Sequence, residues 1–155
     1  MDIYRLIEVD GVITPADGLV DKIITTLDDK DPKLVVIAGI AGSGKTLTAK
    51  AVTDKLVADG KVYPANVHTL SSHNKKEAES IEYAKKNLTF SDDVDSDRPM
   101  KVVVWDEVRY NPDETATIAR LLNIGYCVIA LAQTTGHYSD STEYVLKNNT
   151  EFNLA

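Results

Sequence analysis

Leu34-Val35-Val36-Ile37-Ala38-Gly39-Ile40-Ala41-Gly42-Ser43-Gly44-Lys45-Thr46 is the stretch that decides the fold. Its first five residues are apolar and mostly β-branched, which suits a strand buried on both faces. Gly39 to Thr46 then fits the pattern G-x-x-x-x-G-K-S/T at every fixed position. Glycine makes up about 7% of an average protein, so four specified positions coincide by chance on the order of once per many thousand residues. The spacing also has a physical reason. Glycines let the backbone curl until successive N–H groups point inward at phosphate oxygens. The helix that follows offers its positive N-terminus to the same phosphates. The expected nucleotide-binding residues are Gly39, Ile40, Ala41, Gly42, Ser43, Gly44, Lys45, Thr46 and Leu47. Among them, Lys45 is expected to reach the β- and γ-phosphates of ATP, and the Thr46 hydroxyl to ligate Mg2+.

Val102-Val103-Val104-Trp105-Asp106-Glu107 is the second informative stretch. An apolar strand ending in two carboxylates places them at the C-terminal edge of the sheet, where open α/β sheets bind ligands. Taken alone, it also reads as a strand end with solvated acids. Downstream of a phosphate loop, Asp106 is expected to hold Mg2+ and Glu107 to act as general base toward water. A weaker strand pattern, Asn66-Val67-His68-Thr69-Leu70, is expected to lie between the two motif strands in the sheet. A further apolar run, Cys127 to Leu131, ends in the polar residues Gln133-Thr134-Thr135.

Helical patterns alternate with these strands. Thr46 to Asp59 places Ala49, Val52, Leu56 and Val57 near one face, with Gly60 as a C-cap. Asn74 to Asn87 is a second helix. Asn111-Pro112-Asp113-Glu114 opens a third: Asn as cap, Pro in the first turn, Glu three after the cap. The order implies a parallel sheet with helices on both faces. We expect a single domain over 1–155, with a core at about 33–135 and an N-terminal extension, 1–32. That extension holds a strand near Ile3 to Val9 and a helix around Pro15 to Leu27.

Composition narrows the class. The chain of 155 residues is 43% apolar and 26% charged, enough for a real core. A net charge of −7 argues against binding nucleic acid by phosphate neutralisation alone. The single cysteine, Cys127, lies in an apolar run and reads as a small buried hydrophobe. No internal disulfide can form, and the cytoplasm is the expected compartment. Neither a signal peptide nor a membrane-inserted segment is evident. Asp93, Asp95 and Asp97 have the opening spacing of a calcium loop. Arg98 stands where its glycine belongs and Val104 where its glutamate belongs, so a solvated acidic loop is expected. His68, His73 and His137 lack metal-ligand spacing and read as surface or edge residues.

The phosphate loop and the Asp-Glu strand together resemble the P-loop NTPase superfamily. An inserted strand and a glutamate after the aspartate resemble its RecA-like and AAA-type branch. The resemblance implies a three-layer α/β/α fold with a mainly parallel sheet. It also implies that a polar residue at the third strand end, Gln133 or Thr134, senses the γ-phosphate and positions water. An ordinary strand-to-turn transition is the plain alternative there. Glu107-Val108-Arg109, Glu114-Thr115, Gly125-Tyr126 and the strand ending in Gln133-Thr134 are similar to the second half of the secretion and pilus-retraction ATPases. Asp106, Tyr110, Tyr126 and Gln133 stand where that family has Gly, Asp, His and His. The same stretch is similar to thymidine kinases, in which the glutamate takes a proton from a nucleoside hydroxyl.

The expected activity is therefore Mg2+-dependent ATP hydrolysis, with Lys45, Glu107 and Gln133 catalytic and Thr46 and Asp106 on the metal. A small-molecule kinase and a slow nucleotide switch are the alternatives. The resemblance implies a homo-oligomer and a protein or nucleic-acid partner driven by hydrolysis. Arg98, Arg109 and Arg120 are the candidates for a charge-stabilising arginine, each set against a surface ion-pair role.

Overall fold

The computed structural model describes residues 2–28, 31–89 and 100–155. Two short strands, β1 (Ile3–Tyr4) and β2 (Ile7–Val9), open the chain, and β3 (Val12–Thr14) pairs with β2 as an antiparallel hairpin. Helix α1 (Leu19–Leu27) leads to β4 (Leu34–Ala38), the phosphate loop and α2 (Lys45–Ala58). Then follow β5 (Val67–Ser71), α3 (Glu77–Asn87), β6 (Lys101–Asp106), α4 (Pro112–Asn123), β7 (Tyr126–Ala132), a four-residue α5 (Tyr144–Lys147) and β8 (Thr150–Leu154).

Six strands form one sheet in the order β1-β8-β4-β7-β6-β5, and every pairing in it is parallel. Alternate residues of β4 face opposite ways. Leu34, Val36 and Ala38 pack with α3 and α4, while Val35 and Ile37 pack with α1 and α2. Both faces are thus covered, giving the three-layer α/β/α arrangement.

One expectation is corrected. The strand between the two motif strands is β7, not β5. The residues explain the exchange. Every residue of β7 is buried, as a central parallel strand demands. Strand β5 carries His68, Thr69 and Ser71 and fully buries only Leu70, so it suits the edge. The sheet also uses segments outside 33–135, since β1 and β8 extend it beyond β4. The residues Asp93, Asp95, Asp97 and Arg98 lie outside the described residues.

Helix ends follow sequence chemistry at α2 but depart from it at α3, which begins at Glu77 rather than at Asn74 (φ 49°), and at the cap of α4. Gly60, at φ 73°, closes α2: its N–H donates to Val57 O and that of Lys61 to Leu56 O. Pro112 opens α4 as expected, but the Asn111 side chain makes no cap bond. It donates instead to Glu77 Oε1 at 2.8 Å.

Candidate functional site

Strand β4 delivers the chain to the phosphate loop and α2 takes it away, so the loop is clamped at both ends. The Gly39 N–H donates to Ala132 O at 3.0 Å, tying the loop to the end of β7. A Cβ on Gly39 would lie 2.5 Å from Ser43 Oγ and 2.8 Å from the Leu154 carbonyl, so no side chain fits. Gly44 takes φ 99°, and Leu6 of the N-terminal segment packs where its Cβ would be. The loop residues Ile40 and Ala41 are exposed, as are Thr46 and Leu47 on the first turn of α2.

Lys45 is half-buried, and its ammonium donates to the Gly39 carbonyl across the loop. Burial pushes its pKa down, and the negative charges of Asp106 and Glu107 oppose that shift. Both carboxylates thus favour the charged ammonium. Ser43 Oγ is buried without a hydrogen-bond partner among the described residues. An orphaned hydroxyl inside a phosphate loop fits an oxygen-rich ligand.

Thr46 and Asp106 line a common cavity of about 230 Å³. One hydroxyl and one carboxylate suit Mg2+, which keeps waters and binds through one or two protein oxygens plus phosphate. Among the described residues, three or more His, Cys, Asp or Glu side chains do not cluster into a metal site; Mg2+ bound this way needs no such cluster.

Glu107 follows Asp106 at φ 50°, a left-handed conformation uncommon outside glycine. Strained backbone of this kind concentrates at functional sites. The next amide, Val108 N–H, re-pairs with Leu131 O at 3.0 Å, so the departure is local. The Glu107 carboxylate lies 2.6 Å from His73 Nδ1 and 3.2 Å from the Arg109 guanidinium. The His73 contact, seconded by Arg109, holds Glu107 below the usual carboxylate range.

Gln133 and Thr134 leave the end of β7 and share a cavity of about 300 Å³ with Glu107, Arg109, Tyr110 and His137. Because β7 lies between β4 and β6, Gln133 stands between the phosphate loop and Glu107 along the sheet edge. Tyr110, at φ 60°, stacks on His137 with centroids 4.2 Å apart and donates its hydroxyl to Thr134 O. Burial pushes the Tyr110 hydroxyl up to about 12.

Of the expected site residues, Thr46 and Asp106 share one cavity, Glu107 and Gln133 share another, and Lys45 lies at the start of α2 beside them. His73, Tyr110 and His137 carry no local sequence pattern, because their contacts join segments far apart in the chain. A faint signal existed for His73: it follows a strand whose C-terminal end lies on the ligand edge. Arg120 is spent elsewhere, donating to Ala84 O and Leu88 O at the end of α3. Cys127 is buried, and burial pushes its thiol up, as a core hydrophobe requires. No helix among the described residues is long and apolar enough to cross a membrane.

Known structures share this architecture. The ATPase DotB of Legionella pneumophila superposes with a TM-score of 0.52 at 15% identity, over 87% of this chain and 43% of that one. The ORC1 protein of Aeropyrum pernix, solved in complex with DNA, gives 0.56 at 15% identity, over 88% and 44%. The pilus retraction motor PilT, solved with bound ADP, gives 0.52 at 16% identity, over 84% and 43%. The chain spans under half the length of each. No curated protein sequence matches it. The NB-ARC domain model matches residues 16–123, from α1 through the phosphate loop and Asp106-Glu107 to the end of α4. By that match over most of its length, the chain belongs to the NB-ARC domain family.

Proposed function

We propose that the chain binds ATP with Mg2+ at Gly39–Thr46 and hydrolyses it, using turnover to drive or switch a partner. The observation that carries this reading is the cavity that Thr46, directly after Lys45, shares with Asp106 at the end of β6, with Glu107 the next residue. The loop amides and Lys45 bind the phosphates, with Leu47 at the rim. Lys45, the first residue of α2, must then exchange its bond to Gly39 O for phosphate oxygens. Thr46 and Asp106 hold Mg2+, which neutralises phosphate charge when bound. Glu107 takes the proton from water, and Gln133 orients that water. A carboxylate kept ionised by His73 and Arg109 is in the proton-accepting form.

A motor or assembly role, a homo-oligomer and a protein or nucleic-acid partner in the cytoplasm belong to the same proposal. The fold relatives include an ATPase, a retraction motor and a protein solved with DNA.

A second reading rests on the cavity beside Glu107. Its volume, about 300 Å³, reaches the lower range of ligand pockets, and Tyr110 and His137 give it an aromatic wall. A bound hydroxyl there would make the site a kinase. Phosphate release from Mg-ATP separates the two, measured with and without nucleosides, DNA and RNA. Hydrolysis expects release without an acceptor. ADP formed only with an added nucleoside would establish the kinase.

A further inference from the structure

Glu114 is a carboxyl with no solvent exposure in the first turn of α4, and the proposed reaction does not use it. Such a group persists only where donors meet its oxygens. Its donors come from two separate segments. The Arg109 N–H reaches both oxygens, at 3.1 and 3.0 Å, and the Tyr110 N–H reaches Oε1 at 2.9 Å. The Ser72 hydroxyl donates to Oε2, and the Ser72 oxygen accepts from Trp105 Nε1 at 2.9 Å.

Both segments bear on Glu107. The two amides lie in the turn whose ends, Glu107 and Tyr110, take φ 50° and 60°. Left-handed backbone at such residues persists only where the surroundings over-determine it. Ser72 directly precedes His73, whose ring holds Glu107 Oε2. One buried carboxyl therefore fixes both the backbone that carries Glu107 and the residue that holds its carboxylate.

We infer that Glu114, through Ser72 and the Arg109 and Tyr110 amides, is the positioning residue that keeps Glu107 turned toward the Gln133 cavity. This rests on the reading of Glu107 as the base. A purely structural role, an anion near the α4 N-terminus, would lower melting temperature and leave kcat unchanged.

The test uses the full chain with Glu114→Gln, Ser72→Ala, Glu107→Gln and the Glu107→Gln/Glu114→Gln double variant. Hydrolysis of Mg-ATP, affinity for a fluorescent ATP analogue and thermal melting are measured for each. Displacement of a reacting group by about 1 Å can cost about 100-fold. Glu114→Gln is expected to lower kcat by about 10- to 100-fold, with analogue affinity within about 2-fold, because the loop makes no bond to Glu114. The double variant is expected to be no slower than Glu107→Gln, since both changes act through one group. A kcat of Glu114→Gln within about 2-fold of wild type, with Glu107→Gln inactive, overturns the inference alone. Wild-type turnover by Glu107→Gln overturns the base assignment instead. If Glu114→Gln does not fold, Ser72→Ala decides: kcat about 3- to 10-fold lower supports the clamp, and unchanged kcat overturns it.

Discussion

His73 Nδ1 lies 2.6 Å from Glu107 Oε2, although 34 residues separate the two in the chain. The contact joins the segment after the edge strand β5 to the end of β6. It sets the ionisation of the candidate base, with Arg109 assisting on the same oxygen. A lowered carboxylate pKa favours the ionised form, so this interaction stabilises the fold above the ordinary carboxylate range. That contribution is lost as pH falls through the lowered value.

His73→Ala removes the largest cause of the shift. The acid limb of kcat/KM is expected to move up toward the ordinary carboxylate range, since Glu107 then protonates at higher pH. A pH–rate profile from neutral pH downward shows it. An acid limb that stays in place contradicts the pairing.

Lys45→Ala should abolish tight nucleotide binding while leaving the fold intact. Hydrogen bonds to charged groups contribute about 1.5–3 kcal/mol each. Losing contacts to two phosphates thus costs about 3–6 kcal/mol, or on the order of 100- to 10,000-fold in affinity. Calorimetric titration with Mg-ATP measures the loss, and circular dichroism checks the fold. Unchanged affinity removes Lys45 from the site.

Gly39→Ala should fail in a different way. The added methyl meets Ser43 Oγ and the Leu154 backbone, and a β8 carbonyl cannot rotate aside like a side chain. Overpacking of this kind costs about 1–3 kcal/mol. Urea unfolding is expected to show that loss, together with weaker ATP binding. A variant as stable as wild type would mean that β8 yields freely.

Arg120→Ala should lower stability by about 1–3 kcal/mol, because its guanidinium donates to two carbonyls at the end of α3. Turnover at saturating ATP is expected to be unchanged below the new melting temperature. A fall in kcat without loss of stability would make it a charge-stabilising arginine instead.

The phosphate loop was legible because its glycines, lysine and threonine are fixed by geometry within eight residues, between a strand and a helix. Asp106 and Glu107 were legible through the apolar run before them. Strand order was not fully legible. Both β5 and β7 read as strands, yet only polarity separates them: His68 and Thr69 mark an edge, Cys127 to Leu131 a centre. Strand β8 escaped notice because Thr150, Glu151 and Asn153 dilute its apolar residues, and its place depends on backbone pairing with β4. Glu114 was read as a helix-start residue, and it is one. Its bonds to Ser72 and to the turn before the cap depend on tertiary packing that no local pattern carries. The His73 and His137 contacts are of the same kind.

The most direct measurement is single-turnover phosphate release from Mg-ATP by wild type and Glu107→Gln, with nucleotide affinity determined in parallel. General-base catalysis contributes about 100- to 10,000-fold. Glu107→Gln is expected to bind Mg-ATP as wild type does and to release phosphate at least about 100-fold more slowly. Release at the wild-type rate from an equally well-bound nucleotide would contradict a hydrolytic site built on Glu107.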